Sequence, residues 1–557
     1  MAGLTTLRGS LAFTLIAVFS TPAAADELGP DTRHRDPDDP QALVEERPEL
    51  EKKLAAGELD ASGKKRLIAA RHHAGSDDDA LTLARTLVAR RPEDDDARRL
   101  LASLLDASGE LEEAARQYGL VLRARPDDAL VHLDLGIVHR RREDFDRALE
   151  HYGRALSLAP ELAVAHFDRG EALLAKDATG LADAAIEAFR KAIELSPSYA
   201  RPYVALGKVY ADLGFMEKAE DALDKAIRLD PDDADAHYDR GVLLFRQRRY
   251  RAAAEAYRKA LALDEDHAEA HNNLGVTLER LGQSDPSIAA FEAAVAKRSD
   301  YVDALFNLGL ARFRRGELDE AASCFERVLK IAPDLPEAQF HLGEVHFQRG
   351  RTRKALRLYK RALYTRPDDV RTYEKLARAH LDRGEPEQAV EHLNRWVRLA
   401  PDSARAHAAL GEATARLGTP TARAEALESF EEARALDPED PGILVSMARL
   451  ERDRDRFPEA AEHLEDALRL DPGHREATLE LGDLYERTGR DEEARDLYEG
   501  ALERRPTFAD AAFRLAGVAR RAGTPEEEIA RYRQAIRLGP AHVDTRIELG
   551  GARYQRK

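Results

Sequence analysis

Apolar residues recur along most of this chain at spacings of three and four, the mark of helices with one buried face. In residues 200–233, Tyr203, Leu206, Gly207 and Tyr210 share a face of a first predicted helix. Ala219, Leu223 and Ala226 mark the buried stripe of a second. Gly214 lies where the first helix must end, because glycine enters the left-handed conformation common at helix C-termini. Pro231 stops the second helix, and Asp232-Asp233 offers a cap to the next. The stretches "AHYDRGVLLFRQRRYRAAAEAYRKALALD" from Ala236 and "DALFNLGLARFRRGELDEAASCFERVLKIAP" from Asp303 agree in few letters. Their small and aromatic residues nevertheless fall at the same offsets.

Prolines measure the period. Pro92, Pro126 and Pro160 are 34 residues apart, Pro197 follows at 37 and Pro231 at 34. Pro333, Pro367 and Pro401 keep the 34-residue step, Pro438 comes at 37, and Pro472, Pro506 and Pro540 return to 34. Glu265 and Ser299 fill the expected places between Pro231 and Pro333 without breaking phase. One helix pair cannot bury its apolar stripe alone, whereas stacked copies bury one another's. Gly207 and Ala219 are expected to let two backbones approach closely, and Ala226 to seat the next unit. The longer units carry their extra residues in "KDATGLAD" (176–183) and "LGTPTARAE" (417–425), and both insertions are predicted as loops between helices.

"YVALGKVY" (203–210), followed by Ala219, Ala226 and Pro231, resembles the tetratricopeptide repeat family. So does 475–508, with Leu481, Gly482, Tyr485, Ala494, Tyr498, Ala501 and Pro506. The resemblance covers 95–542. It implies an all-α fold, a right-handed α-α superhelix of about 13–14 repeats whose first helices line a concave groove. Residues 41–94 are expected to hold capping helices and a degenerate first repeat, with Ala80 and Pro92 but no small residue in its first helix. Residues 543–557 are expected to form a C-terminal capping helix around Leu549 and Gly550.

Charge narrows the partners. The chain is 34% charged with net charge −18, and the two signs are interspersed without a long basic block. That pattern is solvated helix surface and argues against nucleic acid as a partner. Residues 1–25 read as a secretory signal peptide: Arg8, an apolar run from Leu11 to Phe19, and Ala23-Ala24-Ala25 before the cut. The run is too short to span a bilayer, and no other segment approaches that length. The Pro- and Asp-rich stretch 26–40 is expected to be a disordered linker. Export is therefore expected, to the periplasm if the host is a Gram-negative bacterium and otherwise to the exterior. The single cysteine, Cys324, lies among apolar residues and reads as a buried small hydrophobe.

No catalytic motif stands in the sequence, and no cofactor or metal is expected. His267 and His271 are four apart, but His267 precedes its predicted helix and no third ligand accompanies them. Repeats account for 61–557, which leaves 26–60 as too short a stretch for a fused catalytic domain.

In the family, residues two, five, six, nine, twelve and thirteen of each first helix line the groove. By that resemblance, Tyr238 and Phe245, Phe306 and Phe313, and Phe340 and Phe347 are groove pairs, each seven residues apart on one helical face. Asn272, Asn273 and Asn307 sit beside them; the whole chain has four asparagines. Asparagine amides both donate and accept, so they can pair with the backbone of an extended peptide. These nine residues are the candidate partner-binding set, for a protein or peptide. Rings that merely pad the surface between helices are the competing reading. Self-assembly through the same face, and an enzyme with a groove-borne site, are the alternative functions.

Overall fold

A computed structural model of the chain describes residues 40–539 and 548–549. The expected signal peptide 1–25, nearly all of the expected linker 26–40 and most of the expected cap 543–557 lie outside the described residues. The described residues hold 29 helices and no strand: a leading helix, Pro40–Ala55, and then fourteen helix pairs from Ala61–His73 with Asp77–Arg90 to Ala509–Arg521 with Pro525–Leu538. The chain divides into two compact units, residues 1–308 and 309–557.

Local chemistry sets each pair. Carboxylates cap first helices: Asp94 accepts from the Ala97 N–H at 2.9 Å, Asp128 from Val131 at 3.1 Å and Asp233 from Ala236 at 3.0 Å. The turn inside a pair needs one left-handed residue, usually glycine, as at Gly214 with φ of 81°. The second glycine of the pattern acts through space rather than through φ. A Cβ on Gly275 would stand 2.6 Å from the Phe291 ring, and one on Gly343 2.5 Å from Tyr359. The small residue therefore seats an aromatic ring of the second helix. At Gly207 the partner is the Leu223 side chain. The Ala219 backbone oxygen stands 3.4 Å from the same Cβ position, so the expected close approach of the two helices accompanies the side-chain socket.

In the unit 1–308, the largest core cluster runs through Tyr152, Phe189, Leu223 and Tyr257, and a second surrounds Leu101, Leu105 and Tyr118. In the unit 309–557, Phe430, Leu464 and Tyr498 lie in one cluster, and Trp396 packs with Leu393, Ala406 and Ala413 in another. Leu549 lies against Ile529 and Tyr532. Cys324 is buried, with the Arg312 guanidinium 3.7 Å from its Sγ.

The two insertions diverge. Residues 177–181 form the expected turn, in which Asp177 accepts from the Thr179 and Gly180 N–H groups at 3.1 and 2.8 Å. The other insertion is corrected: its extra residues lengthen the second helix, Pro420–Leu436, to 17 residues against the usual 14. Thr419 caps that helix by accepting from Ala422 at 3.1 Å, and Pro420 starts it with a preset φ, so the chain is helical where a loop was expected.

Candidate binding faces on the first helices

Successive first helices Ala234–Arg246, Ala268–Arg280 and Val302–Arg314 bring the expected residues of the unit 1–308 together. Their asparagines form a chain. Asn307 Nδ2 donates to Asn272 Oδ1 at 3.0 Å, Asn272 Nδ2 to Asn273 Oδ1 at 3.3 Å, and Asn273 Nδ2 to Tyr238 Oη at 3.0 Å. All four side chains are buried, Asn273 and Tyr238 to 1% exposure. The expectation of free amides for peptide capture is thereby corrected. These groups satisfy one another across three helices, because a buried polar group without a partner costs about 1–3 kcal/mol.

Tyr238 is corrected in the same way. Its ring packs 5.8 Å from Tyr257 and 4.5 Å from His267, inside the core. Burial raises its pKa, with Asp239 adding to the effect. His267 is buried just before the helix Ala268–Arg280, between two carboxylates. Burial opposes its charge, but Asp235 and Glu269, 3.5 and 3.3 Å away, outweigh that and raise its pKa to about 9. Phe245 and Phe306 stay half-buried. Phe245 rests edge-on to Tyr250 at 5.2 Å.

In the unit 309–557, Phe340 is buried against Leu356, Tyr359 and Leu376, with the Arg371 guanidinium 5.2 Å above its ring. It too is core, so its expected place outside the core stripe is corrected. Tyr238 and Phe340 are both enclosed by the following pair, Tyr238 by His267 and Asn273 and Phe340 by Leu376 and Arg371, whereas Phe306 holds the same helix position and stays half-buried. Phe313 and Phe347 lie near the helix ends and remain half-buried. His341 is packed between Phe340 and Phe325. Burial lowers its pKa to about 4, and Arg371 adds to that.

Beyond Phe347 the first helices carry charge. Glu344 pairs with Lys375 and Glu374 with Arg405. Arg449 holds Glu476 and Glu480, and Arg514 and Arg521 hold Asp483 and Glu486. Each pair joins one first helix to a neighbouring first helix, so that stretch carries matched charges across its first helices.

Two features escaped the linear reading. His139, Asp144 and His151 come together, the rings stacked 5.5 Å apart and Asp144 3.6 Å from His139. His380, Glu385 and His392 repeat the arrangement at the same sequence offsets, with 5.4 and 2.8 Å. The signal was the shared spacing of five and twelve residues. The other is a basic helix face, Thr352–Thr365, hidden from a search for basic runs because apolar residues interrupt its cations. Among the described residues no group of three or more His, Cys, Asp or Glu could hold a metal, and no helix is long and apolar enough to cross a membrane.

Comparison with known proteins agrees with the paired helices. Tetratricopeptide repeat profiles match residues 73–133, 133–200, 204–266, 243–301 and 274–336. A profile for the C-terminal domain of cilia and flagella-associated protein 70 matches residues 330–549. No curated protein matches in sequence. Among solved structures, YrrB, described as a TPR protein with an unusual peptide-binding site, is 28% identical with a TM-score of 0.31, covering 34% of this chain and 96% of its own. PilF of Pseudomonas aeruginosa is 24% identical with a TM-score of 0.33, covering 37% and 93%. The Cut9–Hcn1 assembly is 15% identical with a TM-score of 0.37, covering 90% and 98%.

Proposed function

Because this chain belongs to the tetratricopeptide repeat family, we propose that it is an exported scaffold that holds a protein or extended peptide on its first-helix faces, as part of an envelope-associated assembly. The observation that carries the reading is the set of half-buried rings: Phe245 and Phe306 in one unit, Phe313 and Phe347 in the other. Phe245 and Phe347 rest against the core with part of each ring exposed, while the glycine sockets of the repeat are filled by other rings such as Tyr257, Phe325 and Tyr359. Covering such a ring with a partner's apolar side chain is worth about 1.5–3 kcal/mol. A scaffold rather than a catalyst also suits helix pairs that run without interruption from residue 61 to 538.

Two experiments test this. Cross-linking in the intact cell, followed by mass spectrometry, should recover a partner. Phe245→Ala with Phe306→Ala, or Phe313→Ala with Phe347→Ala, should cut that recovery about tenfold, equal to about 1.4 kcal/mol, with unchanged helicity. Equal recovery from both double variants would move the docking site off these faces. For export, the mature N-terminus should be Asp26 and the protein should fractionate with the envelope; a full-length chain in the cytoplasm would sink that part.

A further inference from the structure

Helix Thr352–Thr365 departs from the charge pattern of the rest of the chain. It carries Arg353, Lys354, Arg357, Lys360 and Arg361 and no acidic residue, in a chain of net charge −18. Among the fourteen second helices described, it alone lacks an acid. At 100° per residue the five cations fall within a 120° arc, and the ring of Tyr364, 89% exposed, lies in the same arc. The opposite face, Ala355, Leu356, Tyr359 and Ala362, is buried.

Elsewhere on the second helices unpaired cations share their helix with carboxylates, as Arg395 and Arg398 do with Glu387 and Glu391; here no acid on the helix offsets them. Among the described residues, Arg353, Lys354, Arg357 and Lys360 have no carboxylate within ion-pair distance, nor has Arg351 just before the helix. Arg361 reaches Asp334 at 3.4 Å with both side chains well exposed, a pairing of little worth. The flanks are acidic. Glu326 of Leu318–Ile331 acts on the same His346 ring as Lys354 and Arg351, and Lys360 bears on Glu385 next to Pro386–Leu399. Glu320, Glu387 and Glu391 are exposed on those neighbouring helices.

We infer that this helix face is a docking strip for an acidic, extended peptide segment of a partner protein, one with carboxylates on alternate residues. Arg353, Arg357 and Arg361 rise about 6 Å per step along the helix, and alternate residues of an extended chain rise about 6.6 Å. The periods match over the two steps that join these three residues. Guanidinium groups take carboxylates in paired hydrogen bonds, and Tyr364 offers an apolar stop at one end. A flat anionic membrane would meet the flanking carboxylates as well as the cations, so the narrow strip favours a chain over a plane. The inference concerns a second-helix face and does not rest on the first-helix docking proposed above.

The test uses the full chain and a fluorescein-labelled peptide of about eight residues alternating glutamate with serine, long enough to cover the helix at about 3.3 Å per residue. Anisotropy at low salt should show binding that weakens steeply as salt rises. Arg353→Gln, Arg357→Gln and Lys360→Gln together should weaken it about tenfold or more and flatten the salt dependence. Arg395→Gln with Arg398→Gln, exposed on Pro386–Leu399, should change it by less than about twofold. Equal affinity of the triple variant would overturn the inference. So would phosphatidylglycerol vesicles that bind the wild-type chain and displace the peptide, since they would assign the strip to a membrane.

Discussion

At the residue scale, polar side chains decide whether a repeat is interchangeable with its neighbours. Asn273 is the centre of a buried chain from Asn307 to Tyr238. Asn273→Ala would leave the Tyr238 hydroxyl and the Asn272 amide short of a partner. The expected loss is about 1–3 kcal/mol, read as a lower melting temperature and as faster amide hydrogen exchange confined to 234–314. An unchanged exchange pattern would mean that water replaces the amide at no cost. The asparagines were legible as unusual, since four stand in 557 residues, but their role was not. An amide that can bind a peptide can equally bind its neighbour, and only the distance between helices chooses.

At the scale of the helix pair, the twin histidine arrangements make stability depend on pH. His151 faces His132, His139, Glu150 and Arg147; burial lowers its pKa to about 4, with His132 and His139 adding to the shift. His139 and His392 are lowered as well, burial again leading. A folded-state value below the unfolded one, near 6.5, means the neutral ring's contribution is complete above pH 6.5 and is lost as pH falls through about 4. Discounted for partial exposure, His151 contributes about 1–2 kcal/mol of this loss. His151→Gln should therefore melt less steeply with falling pH than the wild type between pH 7 and 4, by differential scanning fluorimetry. A pH profile parallel to the wild type would place the acid sensitivity elsewhere, with His341 the next candidate. The pair scale also explains the lengthened helix Pro420–Leu436. Gly418, Thr419 and Pro420 supply a stop, a cap and a start in consecutive positions, a stronger local instruction than the loop expected for inserted residues.

At the scale of the whole molecule, each pair leans on its neighbours, and stability is close to a sum of pair and interface contributions. A chain lacking residues 1–94 should keep the helicity per residue of the remainder within about a fifth, by circular dichroism, and should unfold in more than one step. Loss of all structure would show that the leading helices nucleate the array.

The repeated helix pair, its period and its family follow from the sequence alone, because caps, stops and apolar stripes are local and act within a few residues of one another. Tertiary packing alone decided which rings reach the surface. Tyr238 and Phe245 share one helical face seven residues apart, yet the first is 1% exposed and the second half-buried, because Tyr238 is enclosed by Tyr257, His267 and Asn273 whereas Phe245 meets Tyr250 at the turn of its own pair. The basic face of Thr352–Thr365 was equally hidden in the linear order. Its cations are separated by apolar residues along the chain and become neighbours only when a turn of helix brings every third and fourth residue onto one side.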